Sequence, residues 1–486
     1  MTQEEHSPQM AGTALDPGMT SREAALFLND HIPAGLFGGV GVDESRVAWR
    51  LSPEPFPISP RTLEAIERIG PDLLLFYRTL AGLYQRSARG TAPAFVAGYL
   101  DQGKPEAIVR LGRQNRFKGE IPGVIRPDLI LTEAGFACAE LDSVPGGMGF
   151  VGAMTEAYQL LGYDTIGHGN GMAAGLAAML AAATGKEAPT TALVVSNESG
   201  TYRPEMTWLA GAVNALGRGE AHVCRPEEIV FTEEALFVRL PDGEEKKLDA
   251  IYRNFELYDL LNVPKGELML YAARHNRVKM TPPPKAHLEE KLAFALLHHP
   301  RLAKLWKAEL GEAYARLLAI FPETWVLDPR PLPPQASIDG LGAAGEPVND
   351  WMQLVPLGKS ERNFVVKPSG FSELAWGSRG VRVANDLPKD EWQATLETAL
   401  AAYEKTPYIL QRFHKGKRVR IPYYERQRDA IALLDGRVRL CPYYFVSGDA
   451  VRLGGILATV APADKRLIHG MSDAIMSPCI VREDGY

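Results

Sequence analysis

Leu, Ile and Phe recur every three or four positions through TLEAIERIGPDLLLFYRTLAGLYQRS, and Ser59-Pro60 stands just ahead of the run. That spacing and start signal predict a helix, the main element of an N-terminal helical region over residues 21–104. The strip WRLSPEPFPIS before it is proline-rich and reads as extended. Strict alternation then takes over in LILT and FACAEL, on either side of Glu133 to Gly135, and predicts a β-hairpin. GMAAGLAAMLAAATG is apolar but short and full of small residues, so it predicts a closely packed helix rather than a membrane span. TTALVVSN, a continuous apolar run, leads into the helical pattern PEMTWLAGAVNAL. This is the opening of a Rossmann-like βα unit over residues 187–275, which strands near EIVF, ALFVRL and LDAIYR would extend. No GxGxxG follows its first strand, which argues against a dinucleotide. Helices are predicted from Leu288 to about Phe321, broken in two at Pro300. The Pro- and Gly-rich stretch DPRPLPPQASIDGLGAAGEPVND reads as an insertion near 329–350 that covers the site, and strands with one long helix, KDEWQATLETALAAYEK, complete the chain. The pattern is α/β (α+β), without internal repeats.

A chain of 486 residues suggests about three domain-sized units. Net charge of −6 and a pI near 6.0 argue against a nucleic-acid binder. The nearest basic cluster, His414, Lys415, Lys417, Arg418 and Arg420, reads as a contact for a nucleotide or anionic substrate, or as a solvated edge. Residues 1–20 are polar, lack the features of a secretion signal and read as a loose tail. Cys138, Cys224, Cys441 and Cys479 are widely spaced and form no metal-binding pair. Buried thiols and a cytoplasmic setting are the expectation.

The chemistry concentrates in two places. The hairpin carries Asp128, Glu140 and Asp142, the last two on one face of a strand, and hard oxygen donors converging like this suit Mg²⁺. The alternative is a strand-start aspartate beside a solvated edge. Far downstream, VVKPSGFSELAWGSRGV ends an apolar strand at Lys367 and follows it with Ser369, Gly370, Gly377, Ser378 and Gly380. Backbone N–H groups in such a loop can cradle phosphate oxygens beside a lysine charge.

At these residues the chain resembles the ATP-grasp superfamily. VVKPSG…GSRGV is similar to that family's phosphate lid, and ELDSVPG to its Glu-x-Asn-x-x-Pro-Gly metal motif with an Asp upstream. Here the metal motif precedes the lid, so the closer resemblance is to the circularly permuted branch that includes glutathionylspermidine-synthase-like ligases. LDAIYRNFELYDL, LEEKLAFALL with Lys291, PYILQRF with Gln411 and Phe413, and the closing stretch from RVRLCPYYF through LGGILATVAP to HGMSDAIM follow in the family's order.

The resemblance implies a circularly permuted ATP-grasp fold. Its metal-binding part would span 105–186, a preATP-grasp domain 187–275, and the ATP-binding subdomains 276–486. It implies a ligase that uses ATP and Mg²⁺, in two ions, to join a carboxylate to an amine through an acylphosphate. Asp128, Glu140 and Asp142 would hold metal, and Lys291, Lys367, the lid residues, Gln411 and Phe413 would hold ATP. Arg439 or Arg452 would face the transferred phosphoryl, with a ladder salt bridge as the rival role. Asn197, Glu198, Tyr202, Arg203 and Arg253 would line the acceptor site, and Arg110, Arg113 and Arg116 would either bind a carboxylate or form an exposed strand. Asp142 departs from the usual Asn, Gln411 from a frequent Glu and Thr459 from a frequent Arg. A noncatalytic ATP-binding module and a phosphotransferase acting on a hydroxyl stay open. Partners are small molecules, with neither nucleic acid nor membrane.

Overall fold

The computed structural model describes residues 19–37, 49–333, 335–343, 345–468 and 473–486. The tail over 1–18 and residues 469–472 of the closing motif lie outside them. Its largest sheet runs in the order Arg50–Leu51, Ile475–Val481, Ala450–Pro462, Ala430–Ser447, Val124–Thr132, Gly135–Asp142. The strip read as extended supplies Arg50–Leu51 and Phe56–Ile58, both pairing parallel with Ile475–Val481.

Helix Pro60–Ala88 begins where expected, with Ser59 Oγ accepting from Thr62 N–H and Pro60 in the first turn, where its missing N–H costs nothing. Its stripe, including Ile66, Leu73, Phe76, Leu80 and Leu83, is fully buried, and Phe76 meets Trp306 and Phe321. Each such side chain contributes about 1.5–3 kcal/mol of burial. The small-residue helix, Gly171–Thr184, packs as predicted: a Cβ on Gly175 would collide with the Phe445 ring. No described helix is long and apolar enough to cross a membrane.

A four-stranded parallel sheet, in the order Lys279–Thr281, Ala250–Asn254, Thr190–Val195, Glu220–Cys224, forms the Rossmann-like unit. The expected extension is only partly there. Ile229–Phe231 and Leu236–Arg239 leave this sheet and form a separate antiparallel one with Glu245–Lys247. Leu236–Arg239 alternates buried and open positions, whereas all of Ala250–Asn254 is buried, as a strand covered on both faces requires.

Between Leu288 and Phe321 three α-helices are described: Leu292–His298, Pro300–Leu310 and Glu312–Ile320. Pro300 makes the expected break, and Gly311 makes a second at φ +55°, a conformation that favours glycine. A four-stranded antiparallel sheet, Thr324–Val326, Tyr408–Arg412, Phe364–Pro368, Arg382–Val383, carries Lys367 and Gln411 side by side. The long helix Lys389–Ala401 covers it, with Trp392 Nε1 donating to Leu354 O.

The insertion does not cover the carboxylate hairpin. Trp325 donates to Asp339 O and Trp351 to Asp328 O, which folds the proline-rich stretch over a cavity of about 930 Å³ of its own. None of the residues lining that cavity lines the two described below.

Candidate functional site

The hairpin forms from Val124–Thr132 and Gly135–Asp142, with Asp128 opposite Glu140 and Arg126 opposite Asp142. The carboxylates are therefore together: Asp128 is 2% exposed, whereas Glu140 and Asp142 lie on the edge strand of the sheet, partly open, where Lys291 and Arg126 pair with them. Arg126 Nε lies 3.0 Å from Asp128 and its Nη2 3.0 Å from Asp142. Arg439, on the neighbouring strand, reaches Asp128 from the other side at 2.7 Å. Burial opposes ionisation of Asp128, but the two guanidinium groups outweigh it and hold its pKa below the ordinary value. Burial wins at Asp142, whose pKa is raised although Arg126 offsets part of the effect.

Two lysines arrive from other parts of the chain. Lys291, just ahead of helix Leu292–His298, sits 2.9 Å from Glu140 and stays firmly protonated, because Glu140 outweighs the cost of burial. Lys367 donates to Ala139 O at 2.6 Å and to Gln411 Oε1 at 2.8 Å, while Gln411 Nε2 donates to Thr324 Oγ1. Burial, reinforced by the charge of Lys291 against the pull of Glu140, brings the Lys367 pKa down to about 8.

The loop after Lys367 is anchored to a buried carboxylate. Ser369 Oγ donates to Glu290 at 2.6 Å and Gly370 N–H donates to it at 3.1 Å; Glu290 also pairs with the equally buried Lys104. A Cβ on Gly370 would strike the Glu289 carbonyl, and one on Gly380 would meet Pro368 Cγ at 2.7 Å, so both glycines are set by close approach. The backbone of Gly377 and Ser378 belongs to the short helix Glu373–Ser378; their side-chain surroundings lie outside the described residues.

Two cavities meet over the hairpin and share Asp128, Glu140, Lys291, Ala375 and Arg439. The smaller, about 100 Å³, is a narrow slot between Lys367, Gln411, Phe413, His414 and apolar walls such as Val365 and Ile130. The larger, about 470 Å³, reaches from Arg126 and Asp142 to Tyr202, Asn254, Glu256 and Gly370. Gly147, at φ +92°, turns the chain out of the hairpin into helix Met148–Leu160, whose first N–H groups donate to buried Glu205. Gly146 makes room for the Tyr202 ring.

Other sequence candidates stand elsewhere. Arg452 is exposed and lines neither cavity. Asn197 and Glu198 are exposed, Arg203 donates to Val195 O, and Arg253 is fully buried against Glu289 and Phe255 O. Of that group only Tyr202 lines the larger cavity. The arginines of VRLGRQNRF are not on a strand: Arg110 lies on helix Glu106–Gly112 and pairs with Glu106, Arg113 with Asp101 and Arg116 with Glu120. Arg420 pairs with Asp435, and of the basic cluster only His414 lines a cavity. All four cysteines are free and buried.

The sequence reading missed Arg126 and Asn254. Arg126 could have been found, since it is two residues before Asp128 and shares its face of the strand. Asn254 follows Arg253 by one position, and a strand turns successive side chains to opposite faces.

No protein-family model and no curated protein matches the chain. Among solved structures it is similar to a glutathione synthetase-like effector from Globodera pallida in its apo form, with a TM-score of 0.58 and 13% identity over 95% of this chain and 96% of that one. A protein from Methylobacillus flagellatus KT, provisionally named a gamma-glutamylcysteine synthetase, aligns at a TM-score of 0.36 and 12% identity over 82% of this chain and 86% of that one, too distant to carry argument. The chain thus shares the mixed α/β fold of a glutathione synthetase-like protein.

Proposed function

We propose that this chain is an ATP-dependent carboxylate-amine ligase of the circularly permuted ATP-grasp kind, similar to glutathionylspermidine-synthase-like enzymes. The observation that carries the reading is the junction of the two cavities. A narrow slot suited to a nucleotide base and a wider polar cavity meet over two lysines, two arginines and three carboxylates drawn from distant parts of the chain.

Mg²⁺ needs only one or two carboxylates, because it takes the rest of its shell from water and phosphates. The donors Asp128, Glu140 and Asp142 are all hard oxygens and fit that demand. Among the described residues no three acids, histidines or cysteines are grouped to hold an ion by themselves. Mg–ATP would supply the γ-phosphoryl that converts a substrate carboxylate to an acylphosphate, and the amine nitrogen then forms the amide bond as phosphate leaves with the acyl C–O bond broken.

The chain's own part is positioning and charge. Lys367 and Lys291 neutralise phosphate oxygens, Gln411 and Phe413 bound the base, and Arg126 and Arg439 face the moving phosphoryl across Asp128. Ser369, Gly370, Gly377, Ser378 and Gly380 form the cover that keeps water off the acylphosphate. A noncatalytic nucleotide-binding role draws on one observation, that Arg126 already neutralises Asp128 and Asp142.

Mg²⁺-dependent ADP release, screened over pooled carboxylates and amines with mass spectrometry of the products, tests the proposal. ADP and free phosphate with a dehydrated adduct are expected. ATP binding without turnover would favour the noncatalytic role, ADP with a phosphorylated acceptor a phosphotransferase, and no ATP binding would end all three.

A further inference from the structure

We infer that Asn254 and Glu256, on the wall of the larger cavity, form the recognition subsite for the amine substrate, and that this amine carries a hydrogen-bond acceptor close to its nitrogen. Amino acids, amino amides and peptide amino ends meet that description. The inference rests on the ligase reading and adds to it a substrate class.

Charge accounting comes first. Of the charged side chains lining the cavity, Arg126 is paired with Asp128 and Asp142, Arg439 with Asp128, Lys291 with Glu140, and Glu289 with Arg253. Glu256 alone among them has no ion pair or side-chain hydrogen bond to a described residue. It is partly buried, and burial, together with Asp142 and Glu289 and against the weaker pull of Lys291, pushes its pKa up to about 8. A cationic nitrogen placed beside it would relieve both penalties.

Asn254 supplies the second requirement. It is 2% exposed, it lines the same cavity, and among the described residues neither its amide oxygen nor its amide nitrogen has a partner. Buried polar groups are nearly always satisfied, and an amide left open at both ends calls for a molecule that offers a donor and an acceptor side by side. An ammonium group with a neighbouring carbonyl or carboxylate does so. A simple alkyl amine or a diamine satisfies the oxygen and leaves the nitrogen bare.

Placement agrees. Asn254 ends the parallel strand Ala250–Asn254, and Glu256, still extended at φ −78° and ψ 152°, follows two residues later at the strand's carboxyl end. Open parallel sheets bind ligands beyond that end. Ser143, also 2% exposed, lines the cavity too.

Calorimetric titration of the full chain, saturated with Mg²⁺ and a non-hydrolysable ATP analogue, tests this with glycine, glycinamide, n-propylamine and butane-1,4-diamine as probes. Glycine or glycinamide should bind at least about tenfold more tightly than propylamine or the diamine. Glu256→Gln should weaken that binding by about tenfold or more and Asn254→Ala should remove the preference over propylamine, both without changing the affinity for the analogue. A role confined to folding would lower both affinities together, and the shape-preserving Glu256→Gln decides if Asn254→Ala fails to fold. Equal binding of all amines, an unaffected Glu256→Gln variant, or no amine binding to protein that holds the analogue would overturn the subsite. If the analogue itself fails to bind, the ligase reading falls, and the same titrations without nucleotide still decide the subsite.

Discussion

Lys367 donates to Gln411 across the antiparallel sheet at 2.8 Å, and among the described residues no carboxylate pairs with it. Its pKa, brought down to about 8 by burial, makes nucleotide affinity pH-dependent. Affinity for an ATP analogue should fall as pH rises through 8, where the native lysine loses its charge, and Lys367→Arg should flatten the profile. The sign for stability is opposite. The unfolded lysine keeps its ordinary value of 10.5, so the unfolded chain binds more protons between about 8 and 10.5, and this group's contribution to stability rises with pH across that window. Titration of the analogue on both sides of pH 8 checks the affinity, and denaturant melts over the same range check the stability.

Arg126 bridges two carboxylates, Asp128, which Arg439 also pairs, and Asp142, which among the described residues has no other ion pair. Arg126→Met should destabilise the fold by about 3–5 kcal/mol, the usual result of stripping one partner from a buried pair. Mg²⁺ should recover part of the loss, since a divalent cation near Asp128 and Asp142 restores the missing positive charge. Thermal melts of the variant with and without Mg²⁺ measure both effects; a wild-type melting temperature would contradict the assignment.

The two arginine candidates separate cleanly. Arg439→Ala should lower turnover by about 100- to 1,000-fold, as loss of a contact to developing charge does. Arg452→Ala should leave turnover at the wild-type level, because its side chain is exposed and lines neither cavity. Steady-state ADP release from the two variants is sufficient.

Gly370→Ala tests the loop anchor. The added methyl collides with the Glu289 carbonyl, so the loop must move off Glu290, at a cost of about 1–3 kcal/mol. Nucleotide affinity should weaken, and amide exchange should quicken at Gly370 and Phe371 while the large sheet stays protected. Unchanged exchange at those positions would rule out the anchor.

Where a pattern was local, the sequence carried it. The hairpin from Val124 to Asp142, the start of helix Pro60–Ala88 and the first Rossmann-like strand and helix all follow from spacing, capping and turn chemistry within a short window. What escaped depends on tertiary partners. Periodicity cannot tell that Leu236–Arg239 joins a second sheet, nor that Gly311 breaks a helix in place of being tolerated within it. Among the site residues, Arg253 drew attention by its charge, yet that charge is spent on Glu289 inside the core, and the uncharged neighbour Asn254 lines the cavity. Glu256 has no local signature at all. Its character comes first from burial and then from Asp142 and Glu289, all of which only the folded chain supplies.

The parallel pairing of Arg50–Leu51 and Phe56–Ile58 with Ile475–Val481 also sets an order of events on the ribosome. Those strands emerge long before the strand that completes them, which follows most of the intervening fold in chain order. Until it arrives they present open edges and apolar side chains such as Phe56 and Ile58 to every other nascent chain nearby. Production of this protein should therefore respond to chaperone supply and translation speed more than to small changes in the stability of the finished fold.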